Sequence, residues 1–511
     1  MDKRTLLAVV LSLLVLVSWS AFVSKFYHID DKGVTEKTPS SIMPMSVPAP
    51  PTPSITPQET KPVAPASLLN LSLDKYEIGF NESLGAINQV VFKDYPSSRF
   101  NLEYGFLLGD KTMVFNKESS SDNSIAFVYR DETKEIRKQF IFSKPNYNLE
   151  LDLEIKNLTG TTINNLNFPL VLALVDFAQA GQSARFEGVA VALEEKVLHF
   201  NVRKYATFDK IRFLAFRDKY FCAIIEPASG EYGGYIKRLD SKTSEIGLNF
   251  KKVIISPGQT LKEKFYIYLG PQDLQLMSKI RQNWTLAINY GTFDFISRLL
   301  LQLLEFLNKI VHNWGLAIVI LSILIYFILF PLSLKQMHAM KKMQALQPHI
   351  EELRKTYKDN PQKLNKETME LYKANKVNPF GGCLPLVLQM PIFFALYQAL
   401  MRSIALKGAK FLWIKDLSEP DRLFILPASL PIVGNEVNIL PILMTIGMFF
   451  QQKISMKTTT SGSAEQQKMM LIIFPLMFGF IFYRMPSGLV LYWFINSSLM
   501  LFNQFKISRA K

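Results

Sequence analysis

Gln389 is a costly residue for its position. It lies inside the apolar run Cys383 to Met401, between Pro385 and Pro391. An amide at membrane depth, in a segment broken by prolines, is tolerated only where protein or trapped water satisfies the freed polar groups. The run therefore predicts a helical bundle with a wet interior rather than a passive anchor. Chemistry of other kinds finds no support. No GxSxG, HExxH, P-loop or GxGxxG pattern occurs. The only two cysteines, Cys222 and Cys383, fall on opposite sides of the membrane in the topology below, which argues against a disulfide between them. His338 and His349 are spaced eleven apart on a polar helix and suit no ligand pair. Neither cofactor, metal nor covalent catalysis is expected, so the protein reads as no enzyme.

The elements that must hold such a polar interior come next. The chain has 511 residues, 49% hydrophobic content and a formal charge of +15, which suits two or more domains, one membrane-embedded and one water-facing. Much of the positive charge is local. Ten Lys/Arg against five acids lie between Lys335 and Lys376, which marks a cytoplasmic loop by the positive-inside rule. The same charges could touch ribosomal RNA or anionic lipid, or could serve only to set orientation.

Thr5 to Val23 is a 19-residue apolar run behind Lys3 and Arg4. It reads as an uncleaved anchor (residues 1–30) with its N-terminus inside, because Trp19, Phe22 and Phe26 occupy the place of a signal-peptide cleavage site. Residues 31–66 hold nine prolines between Pro39 and Pro65 and read as an extended linker. Residues 67–290 read as the next domain, and from about Leu68 to Gly270 the period becomes two. Leu149, Leu151, Leu153 and Ile155 alternate with charged residues, as do Phe265, Ile267 and Leu269, and turn signals separate the runs. This predicts a large antiparallel β-sandwich on the outer side, closed by a helix over Pro271–Tyr290.

Residues 291–313 read as an amphipathic helix. Phe293, Ile296, Leu299, Leu300, Leu303, Leu304, Leu307 and Ile310 fall on one face, either lying in the membrane interface or packed on the sandwich. Residues 314–511 hold five further spans near 315–333, 383–401, 438–454, 469–485 and 488–505, making six with the anchor. The Lys/Arg asymmetry then places both chain ends inside. Within this part, 335–380 reads as a cytoplasmic helical hairpin broken at Asp359-Asn-Pro. Its Met337, Met340 and Met343 seam suits either core packing or an adaptable face for hydrophobic peptides.

Several long segments together resemble the YidC-type membrane protein insertases in their Gram-negative form. They are Tyr372-Lys-Ala-Asn-Lys-Val-Asn-Pro-Phe-Gly-Gly-Cys-Leu-Pro, Gln389-Met-Pro-Ile-Phe-Phe-Ala-Leu-Tyr and Phe482-Tyr-Arg-Met-Pro-Ser-Gly-Leu-Val-Leu-Tyr, with Asn313-Trp-Gly and Tyr268-Leu-Gly-Pro in support. The resemblance runs from end to end. It implies a multi-pass protein of the bacterial inner membrane with its large domain in the periplasm. It further implies five core spans around a hydrophilic groove that passes nascent membrane proteins into lipid, alone or beside the Sec translocon, and helps them fold. Ribosome and membrane lipid follow as partners; DNA does not.

The resemblance also sets the candidate substrate-contact residues: Ser322, Tyr326, Gln389, Tyr397, Gln398, Arg484, Ser487, Tyr492, Trp493 and Asn496. One of them departs from the family pattern. Where the family carries a groove arginine halfway along the second span, this chain has Tyr326, and no charge lies between Gly315 and Leu334. Arg484 is then either a displaced cation at the groove's upper end or a side chain snorkelling to the outer interface. Across the groove, Gln389 is expected to face Tyr326. Two rival functions have weaker claims. A transporter would show internal repeats, and none is apparent. A sugar-binding receptor would rest on the sandwich fold alone.

Overall fold

Alternation governs the first half of the chain. In the computed structural model, which describes residues 68–95, 98–166, 168–176, 186–250, 253–358, 360–377, 384–430, 434–458 and 464–509, this half is antiparallel β-structure. The expected anchor, the proline linker, Cys383 and the Asn378-Pro-Phe-Gly-Gly joint lie outside the described residues. A nine-stranded sheet has Thr260–Pro271, Asn148–Asn157 and Lys134–Phe142 near its middle. Leu149, Leu151, Leu153 and Ile155 point inward and are buried, while Glu154 and Glu150 on the outer face pair with Lys262 and Lys264 at 2.8 Å. A four-stranded sheet (68–105) packs its rings on this one, with Phe80 against Phe127 and Phe140, and Phe100 stacked on Phe216. A five-stranded sheet covers another part, with Tyr232 edge-on to Phe265. The expected closing helix is shorter than its span: α1 (Leu274–Ile280) is followed by a 3-10 turn over Gln282–Ala287.

The second half is helical: α2 (Asp294–Val311), α3 (Trp314–Ala345), α4 (Gln347–Thr356), α5 (Pro361–Ala374), α6 (Leu384–Arg402), α7 (Ile439–Thr458), α8 (Ala464–Phe482) and α9 (Ser487–Arg509). Among the described residues, Trp314–Leu334 is the one stretch long and apolar enough by itself to cross a bilayer, and Ile439–Ile454 and Leu471–Phe482 are shorter apolar helices. Three features shape this half. The α2 helix buries Leu300, Leu301, Leu304 and Leu307 against α3 and α6, but leaves Phe295, Leu299, Phe306 and Ile310 exposed. These residues form one broad apolar face, as the periodicity predicts, of which one edge packs on the neighbouring helices and the other stays exposed. Next, α3 continues through Pro331 into the hairpin, since one lost backbone bond does not end a helix supported on both sides. Finally, the stretch between α6 and α7 carries a short 3-10 turn, Ile404–Leu406, and a small hairpin, Phe424–Leu430 with Gly434–Val437.

The hairpin at the far end breaks where expected. Asn360 caps α5 by accepting from the Lys363 amide at 3.0 Å, with Pro361 in the first turn. Leu346, Ile350 and Val377 form its small core, with Met343 packed against them. The side chains of Met337 and Met340 lie outside the described residues.

Loop 402–437 fixes the helix ends above it. A Cβ at Gly315 would sit 2.1 Å from the Phe411 ring, so the start of α3 needs glycine there. Asp421 is buried, and its Oδ2 accepts from the Ile439 amide (2.9 Å), the Leu440 amide (3.0 Å) and the Trp413 indole (3.1 Å). It therefore caps α7, and its charge is compensated by three donors. Asp421→Ala should cost about 2–3 kcal/mol by removing this cap and orphaning buried donors. Thermal unfolding in detergent, together with protease cutting in 402–437, measures it. An unchanged midpoint would show that the cap contributes nothing.

Candidate polar seam between the helices

The seam is built on α9. Tyr492, Asn496, Leu499 and Asn503 follow a spacing of four, three and four, which places them on one helical face. The Tyr492 side chain is fully buried, and its hydroxyl accepts a hydrogen bond from the Gln389 amide of α6. Asn496 donates back to the Tyr492 carbonyl at 3.0 Å. Further along, the Tyr326 hydroxyl of α3 donates to the Leu499 carbonyl at 3.4 Å and accepts from the Asn503 amide. Two neutral side chains from two other helices thus dock onto one face of α9. Tyr326 is buried and Gln389 half-buried, and each polar group has a partner, as burial requires.

The sequence-based candidates separate into two groups. Gln389, Tyr326, Tyr492 and Asn496 belong to the seam. The expected pairing of Gln389 with Tyr326 is replaced: Gln389 bonds Tyr492, and Tyr326 bonds Asn503, because α9 faces both α3 and α6. Ser322 is buried one turn from Tyr326, but its hydroxyl is spent on its own Ile318 carbonyl at 2.7 Å. The others are elsewhere. Trp493 sits edge-on to Phe393 (5.1 Å) and packs on Phe478 and Phe482, in an aromatic cluster joining α6, α8 and α9. Ser487 donates to the Asp416 carbonyl at 3.0 Å, in the loop at the start of α9. Tyr397 is half-buried against the core of the helical half. The Gln398 amide lies against Gly291, in the link before α2. Arg484 lines a furrow between α7 and α8 and approaches the hairpin turn at Gly434, apart from the seam. Asn503 was missed, although its place eleven residues after Tyr492 on the same stripe was a readable signal.

A second polar group joins sandwich to helices. Arg217, from the strand Phe213–Arg217, donates to the Asn289 carbonyl at 3.0 Å, and Arg402 at the end of α6 donates to the same oxygen. Burial and the neighbouring Arg402 bring the Arg217 guanidinium down to about 9. Beside it, burial and then Arg217 hold His199 near 4, so its ring stays neutral. Arg298 completes the link through Asp294 (2.7 Å) and the Ile288 carbonyl (2.5 Å).

The molecule is of the class in which a β-sandwich is carried on an apolar helical core with an internal polar seam. The family described as "60Kd inner membrane protein" matches residues 306–511, and the one described as "YidC periplasmic domain" matches residues 66–303. The membrane protein insertase YidC of Pelobacter propionicus is 31% identical, over 100% of this chain and 99% of its own length. That of Syntrophus aciditrophicus is 32% identical, over 100% of both. A crystal structure of an active YidC insertase with its first transmembrane domain resolved aligns over 88% of this chain and 94% of its own, at 18% identity and a TM-score of 0.41. This chain belongs to the YidC family of membrane protein insertases.

Proposed function

We propose that this protein inserts nascent membrane proteins into the bacterial inner membrane and helps them fold, by a physical rather than an enzymatic mechanism. The family supports the activity, and one observation carries the mechanism: the neutral seam of Gln389, Tyr492, Asn496, Tyr326 and Asn503 inside an otherwise apolar bundle. Moving a charged residue through hydrocarbon costs roughly 2.5–3.5 kcal/mol even on the lenient insertion scale. A hydrated polar seam partway across lowers that barrier for a substrate's polar segment. The substrate's apolar segment then leaves sideways and is held in lipid by its own burial.

The reading includes six spans: the anchor within 1–30, then α3, α6, α7, α8 and α9, with the sandwich of 67–290 in the periplasm. Residues 31–66 act as a tether and 291–313 as an interfacial helix whose exposed Phe295, Leu299, Phe306 and Ile310 meet lipid. The core is 314–511. Its basic hairpin, 335–380, stands in the cytoplasm, where it receives chains from the ribosome directly or shares them with the Sec translocon.

Purified protein reconstituted in vesicles tests this. A small two-span substrate should become protease-protected well above protein-free vesicles and without nucleotide. Protection no greater than in protein-free vesicles would refute the activity.

A further inference from the structure

The outer face of the α7–α8 pair is grooved. Thr445 and Gly479 form the floor, and a Cβ at Gly479 would lie 2.2 Å from the Thr445 hydroxyl, so glycine is what lets the helices approach there. Ile442 and Ile446, one turn apart on α7, make one wall, and Leu476 and Phe480 on α8 make the other. All four wall residues are exposed, Phe480 at 63%. The furrow has a volume of about 630 Å³. Arg484, four residues beyond Phe480 on the same side, closes one end beside the Gly434 turn.

We infer that this furrow binds one anionic glycerophospholipid, its acyl chain between the α7 and α8 walls and its headgroup phosphate on Arg484. Leu476 to the end of α8 at Phe482 spans roughly 9 Å of helix rise, with Arg484 in the turn just beyond, the length of part of an acyl chain and shorter than a membrane-spanning helix. Apart from Thr445, whose hydroxyl is spent on the Pro441 carbonyl at 2.7 Å, the lining is apolar except at the end where an acyl chain would meet its headgroup. There a guanidinium offers up to five donors, enough to keep its contacts within the protein and still reach a phosphate. The inference rests on the membrane embedding proposed above, which places this end at the outer leaflet.

The test uses the full chain in vesicles containing a trace of phosphatidylglycerol with a photoactivatable acyl chain. Labelled peptides are then mapped by mass spectrometry. Label should fall on 442–446 and 476–480 and drop about fivefold in Arg484→Gln, the effect of one basic residue on an anionic headgroup. Arg422→Gln, a nearby exposed arginine paired with Glu436 and Glu419, should change nothing. Thr445→Trp, which fills the floor, should abolish the label. The inference is overturned by equal labelling in wild type and Arg484→Gln, or by equal labelling from a phosphatidylethanolamine probe. It is also overturned if a photoactivatable single-span peptide labels the same residues regardless of Arg484. Insertion measured in the same vesicles separates the two readings: label without insertion sinks the insertase mechanism and leaves the lipid site standing.

Discussion

Lys138→Ala is expected to destabilise the sandwich by about 2–4 kcal/mol, through a core cavity and two carbonyls left without a donor. Lys138 is fully buried, on a strand where Ile136, Phe140 and Phe142 also point inward. Its ammonium donates to the Gly85 and Phe106 carbonyls, each at 2.7 Å, and lies near the Phe115 and Phe140 rings. It thereby ties the four-stranded sheet and the following turn to the nine-stranded sheet. Burial lowers its pKa from 10.5 to about 7. The sign of the pH effect follows. Below pH 7 folded and unfolded forms are both protonated, and the cost of the buried charge is fully present. Between 7 and 10.5 the folded form releases a proton that the unfolded form keeps, so stability rises with pH, by at most about 1.4 kcal/mol per pH unit. The neutral amine still has two hydrogens for its two carbonyls. Lys138→Met keeps the volume and removes the titration, so its stability should lack this rise. Urea unfolding of wild type and the Met variant at pH 7.5 and 8.5 measures the difference. Equal slopes in the two proteins would sink the assignment.

The same residue shows how far the sequence could be read. Parity alone places Lys138 on the inner face, two residues from Ile136 and Phe140, yet a lysine in a strand that also holds Lys134, Glu135 and Arg137 passes as solvated. The partners that make its burial tolerable, Gly85 and Phe106, are 53 and 32 residues away. Elements were legible because each rests on local periodicity. The alternation at 149–155 became buried sheet, and the Asn360-Pro break ended one helix and capped the next. Pairings were not legible, because they depend on how helices rotate against one another. Gln389 is distinctive in any reading, but its partner is 103 residues on. Trp493 and Ser487 share a helix with the seam and leave it for an aromatic cluster and a loop carbonyl, a difference of rotation that composition does not encode. The Arg217 and Arg402 contact with Asn289 joins three distant segments and had no local sign at all.

The neutral character of the seam leads to the second large effect. Gln389→Leu should impair insertion roughly tenfold, the consequence of about 1.4 kcal/mol added to the barrier when one polar wall becomes apolar. It should also lower stability by about 1–3 kcal/mol, since the fully buried Tyr492 hydroxyl loses one of its two side-chain partners and keeps only Asn496. The double variant Gln389→Leu/Tyr492→Phe separates these effects. Removing both partners leaves no orphan, so stability should return towards wild type, while insertion stays as low as in the single variant or falls further. A purely structural hydrogen bond would instead recover both together, and that result would remove Gln389 from the proposed groove. The substrate dependence is equally specific. No member of the seam carries charge, so substrates with acidic and neutral tails should lose insertion by the same factor. Tyr326→Arg, in contrast, adds a cation beside Asn503 and should favour acidic tails selectively. An uncharged seam can promote insertion only by hydrating what passes it, and these two comparisons distinguish hydration from electrostatic capture.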